Sequence, residues 1–248
     1  MKLKRIQAIT EYIKALDVCT YEELTREFDV SMTTMRRDID TLEKMGKVKK
    51  VYGGIKAIPQ EEEEESALFR YEYGKDRIGR LAATLVNDND IIVLGSGSTA
   101  AHMVRYLREK KGLTVITNNL SVMNEAVRYG FALVSIGGNL DRRTLSFVGT
   151  QSTKQMSELN ADKCFLSCNG ITPHGISNVA DLEADMKKET MKISGKVYLL
   201  ADHFKFGVTS LYSFAKLGDL DGIVTDKALP KEFTETLKEE DVTLYVAE

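Results

Sequence analysis

The sequence predicts a two-part α/β protein, an N-terminal winged helix-turn-helix followed by a larger, mostly parallel α/β domain. Three observations carry this. Apolar stripes at helical spacing fill the first 58 residues and then give way to a glycine-centred hairpin pattern. From Ile91 onwards, short apolar strand patterns alternate with helical ones, as in a parallel sheet covered by helices. Between the two parts runs an unbroken acidic block, Glu61 to Glu65.

Composition sets the outer limits. With 248 residues, 43% hydrophobic and 29% charged, this is an ordinary globular sequence, long enough for one or two domains. No apolar run approaches the ~18 residues of a membrane span. The start, Met1-Lys2-Leu3-Lys4-Arg5, leads into an amphipathic pattern and not a signal-peptide core. Cys19, Cys164 and Cys168 are too few for a disulfide framework, so the expected compartment is a reducing cytoplasm. The net charge of −3 is unevenly spread. Residues 1–58 hold 12 Lys/Arg against 9 Asp/Glu, a surplus of +3 that leaves −6 for the remainder. That asymmetry points to a polyanion facing the N-terminal part.

Ile6, Ile9, Ile13 and Leu16 give the first helix its apolar stripe, which Asp17-Val18-Cys19 interrupts. Thr20 with Glu23 three positions on is a capping box, and Leu24 and Phe28 form the inner face of the second helix. After Asp29-Val30, Ser31 can cap a third helix striped by Met32, Met35, Ile39 and Leu42. At 100° per residue, Thr33 and Arg37 point away from that stripe, flanked by Thr34 and Arg36. The short turn between the second and third helices is the layout that lays a recognition helix in a DNA major groove. There arginine reads guanine and threonine hydroxyls position on phosphate. Beyond Gly46, the Gly53-Gly54 pair marks a hairpin, with Lys47, Lys49, Lys50 and Lys56 as a basic wing.

The stretch Val30 to Gly54 resembles the DeoR-type bacterial transcription regulators, through Ser31, Thr34, Arg36, Arg37, Asp38 and the closing Gly53-Gly54. The resemblance implies a winged helix that binds operator DNA, normally as a homo-oligomer, dimer or tetramer. Ser31, Thr33, Thr34, Arg36, Arg37, Lys49 and Lys50 are the expected DNA contacts.

The acidic block repels itself and lacks apolar periodicity, which predicts a linker over 59–66 between domains at 1–58 and 67–248. In the larger domain, strands are expected at 91–94, 113–117, 131–136, 164–167, 197–201 and 222–225. Ligands in such sheets bind outside the carboxyl ends of the strands, and four of those ends carry chemistry. Gly95-Ser96-Gly97-Ser98-Thr99 can cradle a phosphate with backbone amides and hydroxyls. Asn118-Asn119 could bond ligand hydroxyls or cap a helix near Ser121. Gly137-Gly138 has Arg142 or Arg143 close behind, and Lys205 lies within Ala201 to Gly207. The set suggests one pocket for a phosphorylated ligand. A dinucleotide reading of the glycine loop fails, because the next strand ends in Thr117-Asn118-Asn119 without the carboxylate that would hold a ribose.

The DeoR resemblance extends over the larger domain, through Ser96–Thr99, Ile116–Asn118, Gly137–Gly138, Phe147–Gly149 and Ala201–Gly207. It implies a ribose-phosphate-isomerase-like sensor fold, a phosphorylated sugar as effector and a position near the pocket for Lys187. The candidate effector contacts are Gly95, Ser96, Gly97, Ser98, Thr99, Asn118, Gly138, Arg142, Lys187 and Lys205. Two positions depart from the family: Gly95 stands where an Asp is usual, and Asp141 where an Arg is usual. Val93 to His102 resembles the phosphate loop of the isomerase enzymes more closely. A sugar-phosphate isomerase with an accessory DNA-binding head is therefore the alternative, but the enzymes' Asp-Gly-Ala-Asp-Glu and Lys-Gly-Gly-Gly-Gly strings do not occur here. Proton transfer between carbons needs such a base, so the expected protein is a regulator without cofactor or metal. Cys164 and Cys168 read as packed thiols, His102 and His174 as lacking identifiable partners, and Asp181 to Glu189 as a solvated helical face.

Overall fold

The computed structural model describes residues 2–16, 18–44, 47–51, 54–57 and 60–247. It divides into two compact units, Met1–Tyr71 and Glu72–Glu248.

The first unit contains α1 (Lys2–Leu16), β1 (Val18–Cys19), α2 (Tyr21–Glu27), α3 (Met32–Lys44), β2 (Val48–Val51) and β3 (Gly54–Ala57). The three helical stripes converge: Ile9, Ile13, Leu24, Met35, Ile39 and Leu42 are buried together with Val48 and Ile55. Leu16 and Met32 leave the expected set: Leu16 ends its helix about half exposed, and Met32 begins its helix only half-buried. The capping box forms, with the Thr20 amide donating to Glu23 at 2.8 Å and the Glu23 amide donating to the Thr20 hydroxyl at 3.2 Å. β2 and β3 pair antiparallel from Val48↔Ala57 to Val51↔Gly54, the expected hairpin. Gly53 of its turn lies outside the described residues. Val18-Cys19, expected as a simple break, instead adds a third strand beside β3.

Helix α4 (Gln60–Ala83) includes residues 60–66 of the stretch expected as a linker, whose backbone is helical; residue 59 lies outside the described residues. Glutamate is a strong helix former, and acidic residues in a first turn complement the helix dipole. A polar run without apolar period can therefore still be helix.

The second unit continues through β4 (Ile91–Leu94), α5 (Ser98–Val104), β5 (Thr114–Thr117), α6 (Leu120–Tyr129), β6 (Ala132–Ser135), β7 (Asn139–Asp141), β8 (Ser146–Val148), α7 (Thr150–Ser157) and β9 (Ala161–Ser167). Then come β10 (Gly170–Thr172), β11 (Gly175–Asn178), α8 (Asp181–Lys192), β12 (Ser194–Leu200), β13 (Tyr212–Ala215), β14 (Gly222–Thr225), α9 (Lys231–Glu239) and β15 (Thr243–Val246). Seven strands form one sheet in the order β15-β14-β12-β9-β4-β5-β6, and every pairing is parallel. Strand alternation splits the core in two. Val93, Cys164, Leu166, Val197, Leu199 and Ile223 face one layer, which includes Met186 of α8 and Leu237 of α9. Ile92, Leu94, Phe165, Tyr198, Leu200 and Val224 face the other, with Ile78 of α4, Met103 of α5 and Val122 of α6.

The chain builds outward from β4 through β5 and β6 on one side, and from β9 through β12, β14 and β15 on the other. The order therefore reverses between β4 and β9. In an open α/β sheet the loops diverge at such a point and leave a crevice at the carboxyl ends.

Candidate functional site

In the DNA-binding unit, α3 presents Thr33, Arg36 and Arg37 to solvent, and Thr34 is half-buried. Ser31 and Thr34 serve the helix start: their hydroxyls lie 2.9 Å apart, and the Thr34 amide donates to Ser31 at 3.3 Å. Asp38 is a fastener, since it is buried and accepts from Arg5 Nε of α1 at 2.8 Å. Arg36 lies over the Tyr21 ring, 6.0 Å from its centroid. On the wing, Lys49 is exposed. Lys50, expected to meet flanking phosphate, donates instead to Asp40 at 2.7 Å and Glu43 at 2.8 Å, both on α3. Those two carboxylates hold its ammonium firmly charged and raise its pKa. Sequence spacing could not show that the hairpin brings Lys50 back against the helix.

In the larger unit, Gly95, Ser96 and Thr99 are buried beneath the loop surface while Ser98 is exposed. Gly95 is explained by its neighbour strand. Its amide donates to the Phe165 carbonyl at 3.0 Å, and a Cβ added there would lie 2.8 Å from Leu166 Cδ2. Gly97 adopts φ +120°, open to glycine and strained for other residues, and a Cβ there would lie 2.8 Å from Ser167 Oγ. That serine oxygen is buried and has no partner among the described residues.

From this loop a series of contacts can be followed around the crevice. Asn119 Nδ2 donates to the Gly97 carbonyl at 3.2 Å, while its Oδ1 accepts from Ser121 N at 2.9 Å and caps α6. Asn118 exchanges two 2.8 Å bonds with Phe147 of β8, one from its side chain and one to its carbonyl. The β7–β8 hairpin carries Asp141, which accepts from the Arg143 amide at 2.9 Å, and Arg143 reaches Glu183 of α8 at 3.8 Å. Glu183 accepts from Asn178 Nδ2 at 2.5 Å, and Asn178 Oδ1 accepts from Lys187 at 2.7 Å. The positive charges of Lys187 and Lys205 oppose the burial that raises the Cys168 thiol pKa, and Cys168 follows Ser167, whose hydroxyl lies beneath Gly97. Gly138 adopts φ +147°, where a Cβ would collide with Ser152.

Burial tunes these groups. Desolvation lowers the Lys187 pKa to about 8, against the opposing pull of Glu183, and pushes the Cys168 thiol up to about 12. Burial likewise raises Asp202, whose oxygen accepts from Phe204 N at 3.0 Å within the Lys205 loop.

Hydrogen bonds and one ion pair thus link the glycine loop, Asn118 and Lys187 in series, whereas Lys205, among the described residues, is connected to them only through its charge. Arg142 and Arg143 are both exposed, and Arg143 is the one within 3.8 Å of Glu183. Two readings change. Glu183 and Lys187 belong to no solvated face but are 3% and 5% exposed, while Asp185 and Lys188 between and beside them are exposed. His102 does have a partner, Glu72 at 2.7 Å. Sequence reasoning misses Asn178, reads Glu183 only as part of a solvated face and holds Arg143 as the alternative to Arg142. The one available signal was the four-residue spacing of Glu183 and Lys187, which puts both on one helix face.

A helix-turn-helix together with a parallel-sheet domain holding a polar crevice at its switch point defines a ligand-responsive DNA-binding regulator. Residues 5–61 match the DeoR-like helix-turn-helix domain, and residues 72–227 match the DeoR C terminal sensor domain. The chain belongs to the DeoR family of transcriptional regulators. It is 36% identical to the HTH-type transcriptional regulator IolR of Bacillus subtilis (strain 168), over 100% of both chains. It is 28% identical to the HTH-type transcriptional repressor GlcR of the same organism, over 99% of this chain and 96% of that one. Identity is 29% to the lactose phosphotransferase system repressor of Staphylococcus epidermidis, over 91% and 92%. Solved structures that superpose in part include a D-ribose-5-phosphate isomerase (17% identity, TM-score 0.42, 54% of each chain). Another is eIF2B delta from Chaetomium thermophilum (18% identity, TM-score 0.47, 69% of this chain and 65% of that one). Membership in this family, whose curated relatives are named transcriptional regulators and repressors, makes this a transcriptional regulator. Among the described residues, no helix is long and apolar enough to cross a membrane.

Proposed function

We propose that this protein is a cytoplasmic repressor of carbohydrate-metabolism genes whose operator affinity is set by a phosphorylated sugar. The observation that carries the reading is the polar series of contacts at the β4–β9 switch point. A glycine loop that runs into the start of a helix suits a phosphate. Amide, carboxylate and ammonium groups beyond it suit a hydroxylated carbon chain. In this reading Gly95 to Thr99 take the phosphate, and Asn118, Gly138, Lys187 and Lys205 line the remainder, with Arg143 in the place expected for Arg142. The lactose phosphotransferase system repressor, by its name, controls carbohydrate genes, which supports the same role here.

On the DNA side, Thr33, Arg36 and Arg37 meet the operator, with Lys49 on flanking phosphate and Ser31 and Thr34 setting the helix start. A dimer or tetramer places two recognition helices on two half-sites. The working division is a DNA-binding domain over 1–58 and a sensor over 67–248, and the acidic segment 59–66 joins them. A coupling of about 1–3 kcal/mol between effector and DNA gives a 5- to 150-fold change in operator affinity.

Fluorescence anisotropy of the full-length protein on DNA from upstream of its own gene tests this. A panel of phosphorylated sugars should contain one that shifts the operator Kd at least fivefold. No shift with any of them overturns the effector assignment, and no specific binding to that DNA overturns the operator.

A further inference from the structure

We propose that Glu183 reads the hydroxyl groups of the effector, so that the crevice selects a polyhydroxylated phosphate over phosphate alone. The inference rests on the sugar-phosphate reading above and adds a residue and a selection rule to it.

Glu183 and Lys187 stand four residues apart on α8 with the acid on the N-terminal side, the best arrangement for a direct helical ion pair. Yet among the described residues no ion pair within 4 Å joins them. The Asn178 amide stands between, donating to Glu183 Oε2 at 2.5 Å and accepting from Lys187 at 2.7 Å. Both ends of that amide are therefore assigned, and reversing it would set donor against donor. Oε2 has the further company of Arg143 at 3.8 Å. Oε1 is buried with no partner among the described residues, in a side chain only 4% exposed. An unmatched carboxylate oxygen in such surroundings is costly, and so calls for a donor.

The Lys187 ammonium, over the Phe214 ring at 5.3 Å, has three hydrogens and, among the described residues, one hydrogen-bond acceptor, Asn178. An acceptor at Oε1 beside a donor at Lys187 matches a hydroxyl, which gives one hydrogen bond and receives another. A deprotonated phosphate or carboxylate oxygen only accepts and has nothing to offer Oε1. The chemistry thus separates the two ends of the ligand: anion at the glycine loop, hydroxyls at α8.

Calorimetric titration of the full-length wild type, Glu183→Gln and Glu183→Ala proteins tests this. The titrants are ribose 5-phosphate, glucose 6-phosphate, fructose 1-phosphate and fructose 6-phosphate, the 2-deoxy forms of the first two, and inorganic phosphate. The expected result is that the best sugar phosphate binds wild type at least tenfold tighter than inorganic phosphate. Both variants should lose about 10- to 100-fold for that sugar and nothing for inorganic phosphate. In wild type, without any variant that has to fold, removing a hydroxyl should cost affinity for at least one sugar, and Glu183→Gln should erase that difference. Wild-type sugar affinity in both variants overturns this inference and leaves the sugar-phosphate reading standing. Equal binding of sugars and inorganic phosphate by wild type does the same. If wild type binds none of the sugars, both readings fall.

Discussion

The side-chain amide of Asn119 donates to the carbonyl of Gly97 at 3.2 Å while its own oxygen caps α6 through Ser121 N at 2.9 Å. One buried residue thus fixes the glycine loop and the neighbouring helix together. Asn119→Ala should destabilise the sensor by about 1–3 kcal/mol, since a lost cap alone costs ~0.5–2. Asn119→Asp keeps the capping oxygen but loses the donor to Gly97. It should melt closer to wild type yet bind its effector at least tenfold more weakly. Thermal melts alongside effector titrations separate the two effects, and equal effector affinity in Asn119→Asp would remove the tie as a determinant of the loop.

Arg37→Ala is expected to weaken operator binding by about 1–3 kcal/mol, the range for one base-reading arginine, with effector binding unchanged. Lys50→Ala should reduce the salt dependence of operator binding by well under one unit of slope. Its ammonium is already held by Asp40 and Glu43, whereas a true phosphate contact contributes about 0.9. Operator titrations between low and moderate salt check both. A full unit lost in Lys50→Ala would show that the lysine abandons those carboxylates for DNA.

Asp38→Ala should act on stability and only through it on DNA binding. Asp38 is 1% exposed and holds Arg5, whose side chain is partly open at 30%. Removing it should cost the N-terminal unit about 1–3 kcal/mol, less than a fully buried pair because Arg5 can rehydrate. Denaturant unfolding of wild type and variant is the measurement, and an unchanged midpoint refutes the fastening role.

Gly95→Asp restores the residue usual in the family, but the new Cβ would press on Leu166. The expected cost is about 1–3 kcal/mol, as for other overpacked cores. Adding Leu166→Val should recover part of it. Additive losses in the double variant would mean that the two positions do not meet.

Lys187 gives a pH signature. Its pKa is lowered from 10.5 to about 8 in the folded protein, chiefly by desolvation. Between these values the unfolded chain binds the extra proton, so stability should rise with pH from about 8 to about 10.5 and lie lowest below that window. The total is on the order of 3 kcal/mol. Lys187→Met should lack this rise, and parallel pH profiles of the two proteins would refute it.

The helical periods of Ile9/Ile13, Leu24 and Met35/Ile39/Leu42 marked a three-helix unit because burial on a helix recurs every 3.6 residues. β4 and β14 were legible to the residue, and β5, β6, β9 and β12 to within a few, because buried parallel strands are short unbroken apolar runs. The pieces β7, β8, β10, β11 and β13 left no such mark. They are three or four residues long, and their pairing depends on partners far along the chain, as between Ser177 and Ser213. The helical backbone of the acidic run was not legible for a related reason: charge pattern reports solvation, and a solvated segment can still be helical.

The sequence by itself determined the family, the three N-terminal helices, most strands of the main sheet and the glycine loop at a strand end, because these depend on neighbouring residues. Only the tertiary structure decided how the side chains are employed. It packed Gly95 against Leu166, turned Arg143 towards Glu183, and drew Lys50 onto the recognition helix. It also buried Glu183 and Lys187 around the amide of Asn178. Each of these joins residues brought together by the fold, where distance, burial and the supply of hydrogen-bond partners determine the chemistry of every group.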